Sequence, residues 1–397
     1  MSLGIVLFIS SISLSPASNT LMRTEKIPDI SVHGVLHNQS VTSSHPSQLP
    51  PQAQNARQRK HIVTMACGVN RHYADQAVRL LKSIVLSQTT NFTNGKLDWV
   101  IWLVMDDAMK QQIQGDVETI SKVANASSTH TQTPAVHIMM KSVTELSGAS
   151  DLNIWQPCAN VATHMYKVLP LDVEDYLILG ADQLAVGDLA QIWDQASGYQ
   201  WNKSKLMAVT EECVEPRGKC GWYWGHSKVR FGDNGLNTGS SIISVVNMKR
   251  YEFIQWMSKA EAEYKGSIEL GDQDLVNIYF KEHPEQFVML QCTANVRTDS
   301  HCDIEKSPPI VLHGNRQAFQ TNPGWKHFAK KVDVLFKDLL AKKTLAGGSL
   351  WEAVGQDVRK GLQDTLSKPV GLSPVTLTAL IAEAAYHSLQ FLIGFIK

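Results

Sequence analysis

A few short stretches of this chain set polar and ionisable groups beside apolar runs. Gly235-Leu236-Asn237-Thr238-Gly239 precedes the apolar residues 241–246, which puts an amide at the mouth of a strand, flanked by glycines that let a ligand approach the backbone. Gly271-Asp272-Gln273-Asp274-Leu275-Val276-Asn277 gathers two carboxylates and two amides at the head of an apolar helical stretch, where acids suit a helix N-terminus. Ile310-Val311-Leu312 leads into His313-Gly314-Asn315-Arg316, so a strand ends on an imidazole with a guanidinium three residues on. Tyr176-Leu177-Ile178-Leu179 runs into Gly180-Ala181-Asp182 and brings one carboxylate to another strand end. Such groups can hold hydroxyls, a cation or an anion. Taken singly, each stretch also reads as a turn, a helix start or a structural histidine.

The elements that must position them alternate. His61-Ile62-Val63-Thr64-Met65-Ala66 is a buried strand closing on Cys67-Gly68, and Ala77, Leu80, Leu81, Ile84 and Val85 recur at helical spacing after it. Residues 97–104 read as the next strand, 109–124 as a helix and 136–140 as a third strand. This alternation predicts an α/β fold with a mostly parallel central sheet and flanking crossover helices. In open sheets of that kind ligands bind beyond the carboxyl ends of strands, where residues 68–71 and 180–182 fall.

With 397 residues the chain can bury a substantial core, and Lys+Arg and Asp+Glu both stand at 37, so no global field draws it to nucleic acid. Residues 3–14 form an apolar run shorter than the roughly 20 residues of a spanning helix. Residues 1–18 therefore read as a signal peptide, with a signal-anchor as the alternative. Asn-x-Ser/Thr triplets at Asn38, Asn91, Asn125 and Asn202 agree with exposure in the lumen of the ER or Golgi. An even cysteine count suits an oxidising compartment, and proximity pairs Cys213 with Cys220 and Cys292 with Cys302, leaving Cys67 with Cys158. Residues 19–60 are too polar to fold and read as a disordered stem, 61–340 as the folded domain and 341–397 as a helical tail. In the tail, Ser373-Pro374 starts a helix with Leu377, Leu380, Ile381, Phe391 and Phe395 on one side, a packing helix or one that lies on a membrane surface.

In order, spacing and flanks the motifs resemble the retaining glycosyltransferases of family 8, and among them the glucoside xylosyltransferases. The resemblance rests on residues 61–68, Gln156-Pro157-Cys158-Ala159, residues 235–239, residues 271–277 with His283-Pro284-Glu285 after them, residues 295–302 and residues 312–316. It covers about residues 60–335 and implies a Rossmann-like nucleotide-diphospho-sugar transferase (GT-A type) fold.

The resemblance implies a uridine diphosphate sugar donor, a manganese ion at its diphosphate and a glycosylated protein as acceptor. Asp182 and His313 would be the metal ligands; the family's other metal-binding Asp falls on Gly180, which removes a ligand and a charge. Gln273 would lie near the anomeric carbon in a positioning or charge-stabilising role, with Asp272 and Asp274 gripping sugar hydroxyls. Gly68, Asn237 and Gly314 would line the donor, and Asn315 and Arg316 would face its diphosphate. Where the family carries an Arg after the Pro-Cys-Ala match this chain has Ala162-Thr163-His164-Met165-Tyr166-Lys167, with His164 or Lys167 as substitutes. Trp222-Tyr223-Trp224 offers flat faces that suit either a sugar acceptor or the core. The implied activity is transfer of xylose to a protein-linked glucose, and the alternative is a non-catalytic relative that binds nucleotide-sugar or glycan.

Overall fold

The structure is a computed structural model and describes residues 58–66, 71–90, 97–127, 135–145, 161–199, 201–212, 221–300, 302–341 and 350–366. Strands β1 (Gln58–Ala66), β2 (Leu97–Met105) and β3 (Val136–Ser142) are joined through the helices Arg71–Thr90 and Asp107–Ser127, as the alternating pattern predicts. Then come β4 (Asp175–Gly180), β5 (Gln183–Ala185), β6 (Met207–Glu211), β7 (Leu236–Ser244), β8 (Phe287–Met289) and β9 (Val311–His313). Seven of these form one sheet in the order β3-β2-β1-β4-β7-β6-β8, while β5 and β9 pair separately. Only β7 runs against its neighbours, so the expected mostly parallel α/β sheet with flanking helices is present.

Side-chain alternation along the strands divides the core into two layers. Ile62, Leu177 and Leu179 face the helix Arg71–Thr90 side, whereas Val63, Tyr176 and Ile178 face the layer of Met248, Phe253, Leu275 and Phe280. Burying both faces explains why β1, β2 and β4 read as near-continuous apolar runs.

The antiparallel run of β7 matters for the site. Leu179 pairs with Ser240 and Asp175 with Ser244, so the first residues of β7 lie at the carboxyl end of β4. Of residues 235–239, which also read as a turn before a strand, 236–239 are themselves the start of β7, and residues 245–250, at the end of that apolar run, turn into a helix. Pairing across the sheet overrides the weak strand propensity of Gly239.

The segment past residue 340 differs from the expected tail. Leu350, Trp351, Val354, Val358 and Leu362 are buried in the main core, and the Trp351 amide donates to Val186 O at 3.1 Å. Residues 350–366 therefore belong to the folded domain, because their apolar face packs on it. The expected helix after Ser373, the N-terminal segment, the stem as far as residue 57, and the cysteines 67, 158, 213 and 220 lie outside the described residues, whereas residues 58–60, expected to end the stem, begin β1 because they pair with residues 97–99. No described helix is long and apolar enough to cross a membrane.

Cys292 and Cys302 form the expected disulfide, which closes the loop carrying Asn295, Arg297 and Asp299. Its removal by Cys302→Ser is expected to cost about 2–3 kcal/mol, as loop closure in the unfolded chain predicts. Urea unfolding of the two proteins without reductant measures that loss, and a matching midpoint would show the loop to be held by packing alone.

Candidate functional site

The pairing of β5 with β9 decides which ends meet. Gln183 is in register with His313, and the Gly314 amide donates to Asp182 O at 2.7 Å. That lays Asp182 beside His313, Oδ2 standing 3.5 Å from Nε2. Burial alone pushes the Asp182 carboxyl up, but the charge and hydrogen bond of His313 outweigh it and hold it below the ordinary value. A methyl built on Gly180 would sit 2.9 Å from Asp182 Oδ1, so the missing side chain is the space into which this carboxylate folds.

A line of buried amides runs from this pair to Gln273. Glu212 Oε2 accepts from Asn237 Nδ2 at 2.6 Å and from Gln273 Nε2 at 2.9 Å. Because a carboxylate only accepts, the Asn237 carbonyl must point the other way, where it accepts from Asn295 Nδ2 at 2.7 Å and from the Gly239 amide at 2.9 Å. Asn295 Nδ2 also donates to Thr210 Oγ1 at 3.1 Å, so its Oδ1 faces His313 Nδ1 at 2.9 Å. Nδ1 then carries a proton, and Nε2 is the ring nitrogen turned toward Asp182.

That arrangement suits a divalent cation. One imidazole nitrogen and one carboxylate oxygen share an opening, and a hydrogen bond fixes the imidazole in its ligating tautomer. Among the described residues no group of three or more metal-binding side chains is present. Two protein donors fit an ion that also takes oxygens from a diphosphate and keeps water.

The helix Asp272–Glu282 aims Gln273 inward. Asn277, four residues on and on the same face, is fully buried and clamps the helix to β7, accepting from the Leu236 amide at 2.8 Å and donating to Leu236 O at 3.0 Å. Gln273 Oε1 accepts from Asn237 Nδ2 at 3.2 Å. Asp272 opens the same helix, and burial pushes its carboxyl up to about 6 against hydrogen bonds from Thr238 and backbone amides.

Asp274 does not share this opening. It is fully buried, with Oδ1 accepting from Ser227 Oγ at 2.8 Å and Oδ2 from the Glu269 and Leu270 amides at 2.7 and 2.8 Å. Its acceptors hold the loop before the helix, which corrects the expectation that it grips sugar hydroxyls. Tyr223 is likewise core, filling the space above Gly235, where φ is +68° and an added methyl would lie 2.5 Å from the ring. The side chains of Trp222 and Trp224, and the whole of Gly68, lie outside the described residues. His164 is buried with Nδ1 3.3 Å from Thr163 Oγ1, while Lys167 is exposed.

The loop after His313 is strained: Arg316 and Gln317 adopt left-handed φ of 53° and 60°. Arg316 is paired with Asp299, whose carboxyl burial pushes up and the guanidinia of Arg297 and Arg316 pull below its ordinary value. Asn315 Oδ1 is buried without a hydrogen-bond partner. A side chain on Gly314 would run into the Phe319 ring. Sequence reasoning assigned no role to Glu212, Asn295, Arg297 or Asp299. For the last three the only signal was that they share one short stretch of the family resemblance.

In sequence the chain is similar to glucoside xylosyltransferases. It is 29% identical over 192 residues to glucoside xylosyltransferase 1 of Mus musculus, covering 44% of this chain and 46% of that protein. Glucoside xylosyltransferase 1 of Homo sapiens is 25% identical over 281 residues, 66% of this chain and 58% of that one. The chain thus spans about half the length of these curated relatives. No protein-family model matches. Among solved structures, apo mouse xyloside xylosyltransferase 1 superposes with a TM-score of 0.46 at 13% identity over 65% of this chain and 98% of that one.

Two outcomes are expected of this geometry. Gly239 has His313 against it, a methyl there lying 2.5 Å from Cε1, so Gly239→Ala should displace the ring and cost about 1–3 kcal/mol in urea unfolding. Wild-type stability in that variant would mean that the ring moves aside freely. For Asp272 the folded state holds its proton up to about 6 against 3.8 ordinarily, so its stabilising contribution is complete below 3.8 and is lost as pH rises through 6. Asp272→Asn should therefore raise the urea midpoint relative to the parent at pH 7 and leave it nearly unchanged at pH 4. Equal shifts at both pH values would remove burial as the cause.

Proposed function

We infer that the chain is a glycosyltransferase that moves xylose from a uridine diphosphate donor to a glucose already attached to a protein, by α-1,3 linkage and with retention. The observation that carries this reading is the hydrogen-bonded line from His313, which faces Asp182, through Asn295 and Asn237 to Gln273. It joins a cation-binding pair to the group expected at the anomeric carbon, the two ends that transfer from a diphosphate requires. The names of the sequence relatives supply the sugar and the acceptor.

In this reading Asp182 Oδ2 and His313 Nε2 would hold manganese, which when bound neutralises the charge that builds on the leaving diphosphate. Arg316 and Asn315 lie one turn beyond and would meet the diphosphate from the other side, Asn315 Oδ1 accepting from a hydroxyl or a bound water. Asp272, the first residue of the helix that carries Gln273, would hold a sugar hydroxyl. Gln273 is a weak nucleophile, and its Oε1 would instead stabilise positive charge as the bond to the leaving oxygen lengthens. Retention then follows from attack by the acceptor hydroxyl on the face the diphosphate leaves, or from a short-lived adduct on the opposite face. The architecture fits the GT-A type, and residence in the secretory pathway completes the reading.

Gly180 favours one other reading, a non-catalytic protein that binds a nucleotide-sugar. Incubation of the full chain with manganese and uridine diphosphate xylose, glucose or galactose separates the two, uridine diphosphate release being expected with xylose. No release from any of the three would sink the enzyme reading. Gly180 is outside the left-handed φ region, so Gly180→Asp is accommodated if Asp182 swings away by a few tenths of an ångström. Calorimetry should then show manganese affinity rising at least about tenfold, through the added carboxylate ligand. An unchanged affinity would mean that the ion is not held at this strand end.

A further inference from the structure

Glu212 lies just past β6 at the centre of the site and is 2% exposed, yet no motif pointed to it. One of its oxygens, Oε2, takes both Asn237 Nδ2 and Gln273 Nε2. The other, Oε1, faces Arg297 Nη2 at 3.7 Å. Arg297 is itself fully buried, its Nη1 and Nη2 make no hydrogen bond, and its Nε donates to Asp299 Oδ1 at 3.4 Å. Asp299 in turn pairs with Arg316 on the strained loop. Two acids and two guanidinia therefore alternate from the base of Gln273 to that loop, and their charges cancel.

A terminal amide can be turned end for end at almost no steric cost, so packing alone does not decide which end of Gln273 meets a substrate. A charged acceptor does decide it. Facing Glu212, Gln273 must offer its NH2, which leaves Oε1, already accepting from Asn237 Nδ2 at 3.2 Å, as the end whose remaining lone pair can meet a substrate. We propose that Glu212 is the positioning residue of this site: its carboxylate, fixed by Arg297, sets the amide orientation of Gln273 and so presents the carbonyl oxygen to the sugar carbon. This rests on the glycosyl-transfer reading above only for its effect on rate.

The geometry accounts for the choice of a buried acid here. An ion pair in this position is no aid to stability in itself, since removing two charges from water offsets most of their attraction. Its effect is orientational. A glutamine in place of Glu212 would have to turn its own NH2 either toward the two amide donors or toward the Arg297 guanidinium, and both choices set donor against donor.

The test is a double-mutant cycle on the full chain, with Glu212→Gln, Gln273→Ala and the pair. Each single change should lower kcat about 100-fold with the donor KM within about threefold of wild type. The pair should be no slower than Gln273→Ala alone, within about threefold, because the two act as one unit. Glu212→Asp, which keeps the acceptor, should recover part of the rate. Losses that multiply in the pair, or a Glu212→Gln enzyme near wild-type kcat, would overturn the proposal. If wild type turns over no donor, the functional reading fails, and Glu212 is then decided by spectroscopy. With 15N-glutamine labelling, the Gln273 side-chain amide, assigned by its absence in Gln273→Ala, should be protected from solvent exchange in wild type and unprotected in Glu212→Gln. Equal protection in both would sink the proposal on its own.

Discussion

Hydrogen-bond direction is the constraint on which the site depends. Glu212 can only accept, and that fact propagates: Asn237 must give it an N–H, Asn295 must give one to Asn237, and His313 must give Nδ1–H to Asn295. Asn237 and Asn295 are almost fully buried, so either amide turned the wrong way would leave a donor and an acceptor unpaired, at about 1–3 kcal/mol for each buried group. One acid near the middle thus sets the tautomer of a histidine at one end and the orientation of a glutamine at the other. A network of this kind tolerates partial satisfaction poorly.

The fold brings these groups together by running one strand backwards. Were β7 parallel to β4, Asn237 and Gly239 would begin at the far edge of the sheet, away from Gly180. Because it is antiparallel, its first residues lie where β4 ends. The β5–β9 pair and the parallel bridge from Val296 to Leu312 then fold residues 295–299 over the same edge. The disulfide between Cys292 and Cys302 closes the loop that carries them.

What was legible in the sequence follows from periodicity. The first three strands and the two helices between them carry strong apolar patterns on both faces, and the structure has them with ends shifted by a few residues. Asp182 and His313 were legible as a pair only through the family resemblance, and the structure brings them together. Asp272 and Asp274 could not be told apart, since they are two residues apart on a helix and so face different directions; packing against Ser227 and the loop at 269–270 turns one of them inward. Glu212 was invisible for a different reason. Glu211-Glu212 reads as a pair of surface acids, and only the sheet edge and a distant arginine make the second one central.

The same network bears on what the loss at Gly180 means. A carboxylate there would crowd Asp182 and hold it outward, toward a ligand; without it Asp182 can settle against His313, and the pair partly satisfies itself. The orientation of His313 is held from behind, because a ring turned away from Asn295 would leave a buried donor and a buried acceptor unpaired. Asn295 gives its carbonyl to that ring, and Asn237, Glu212 and Gln273 are hydrogen-bonded to one another behind it. Relative to the family it resembles the chain lacks one carboxylate at Gly180, while Asn295, Asn237, Glu212 and Gln273 keep the hydrogen bonds that orient His313.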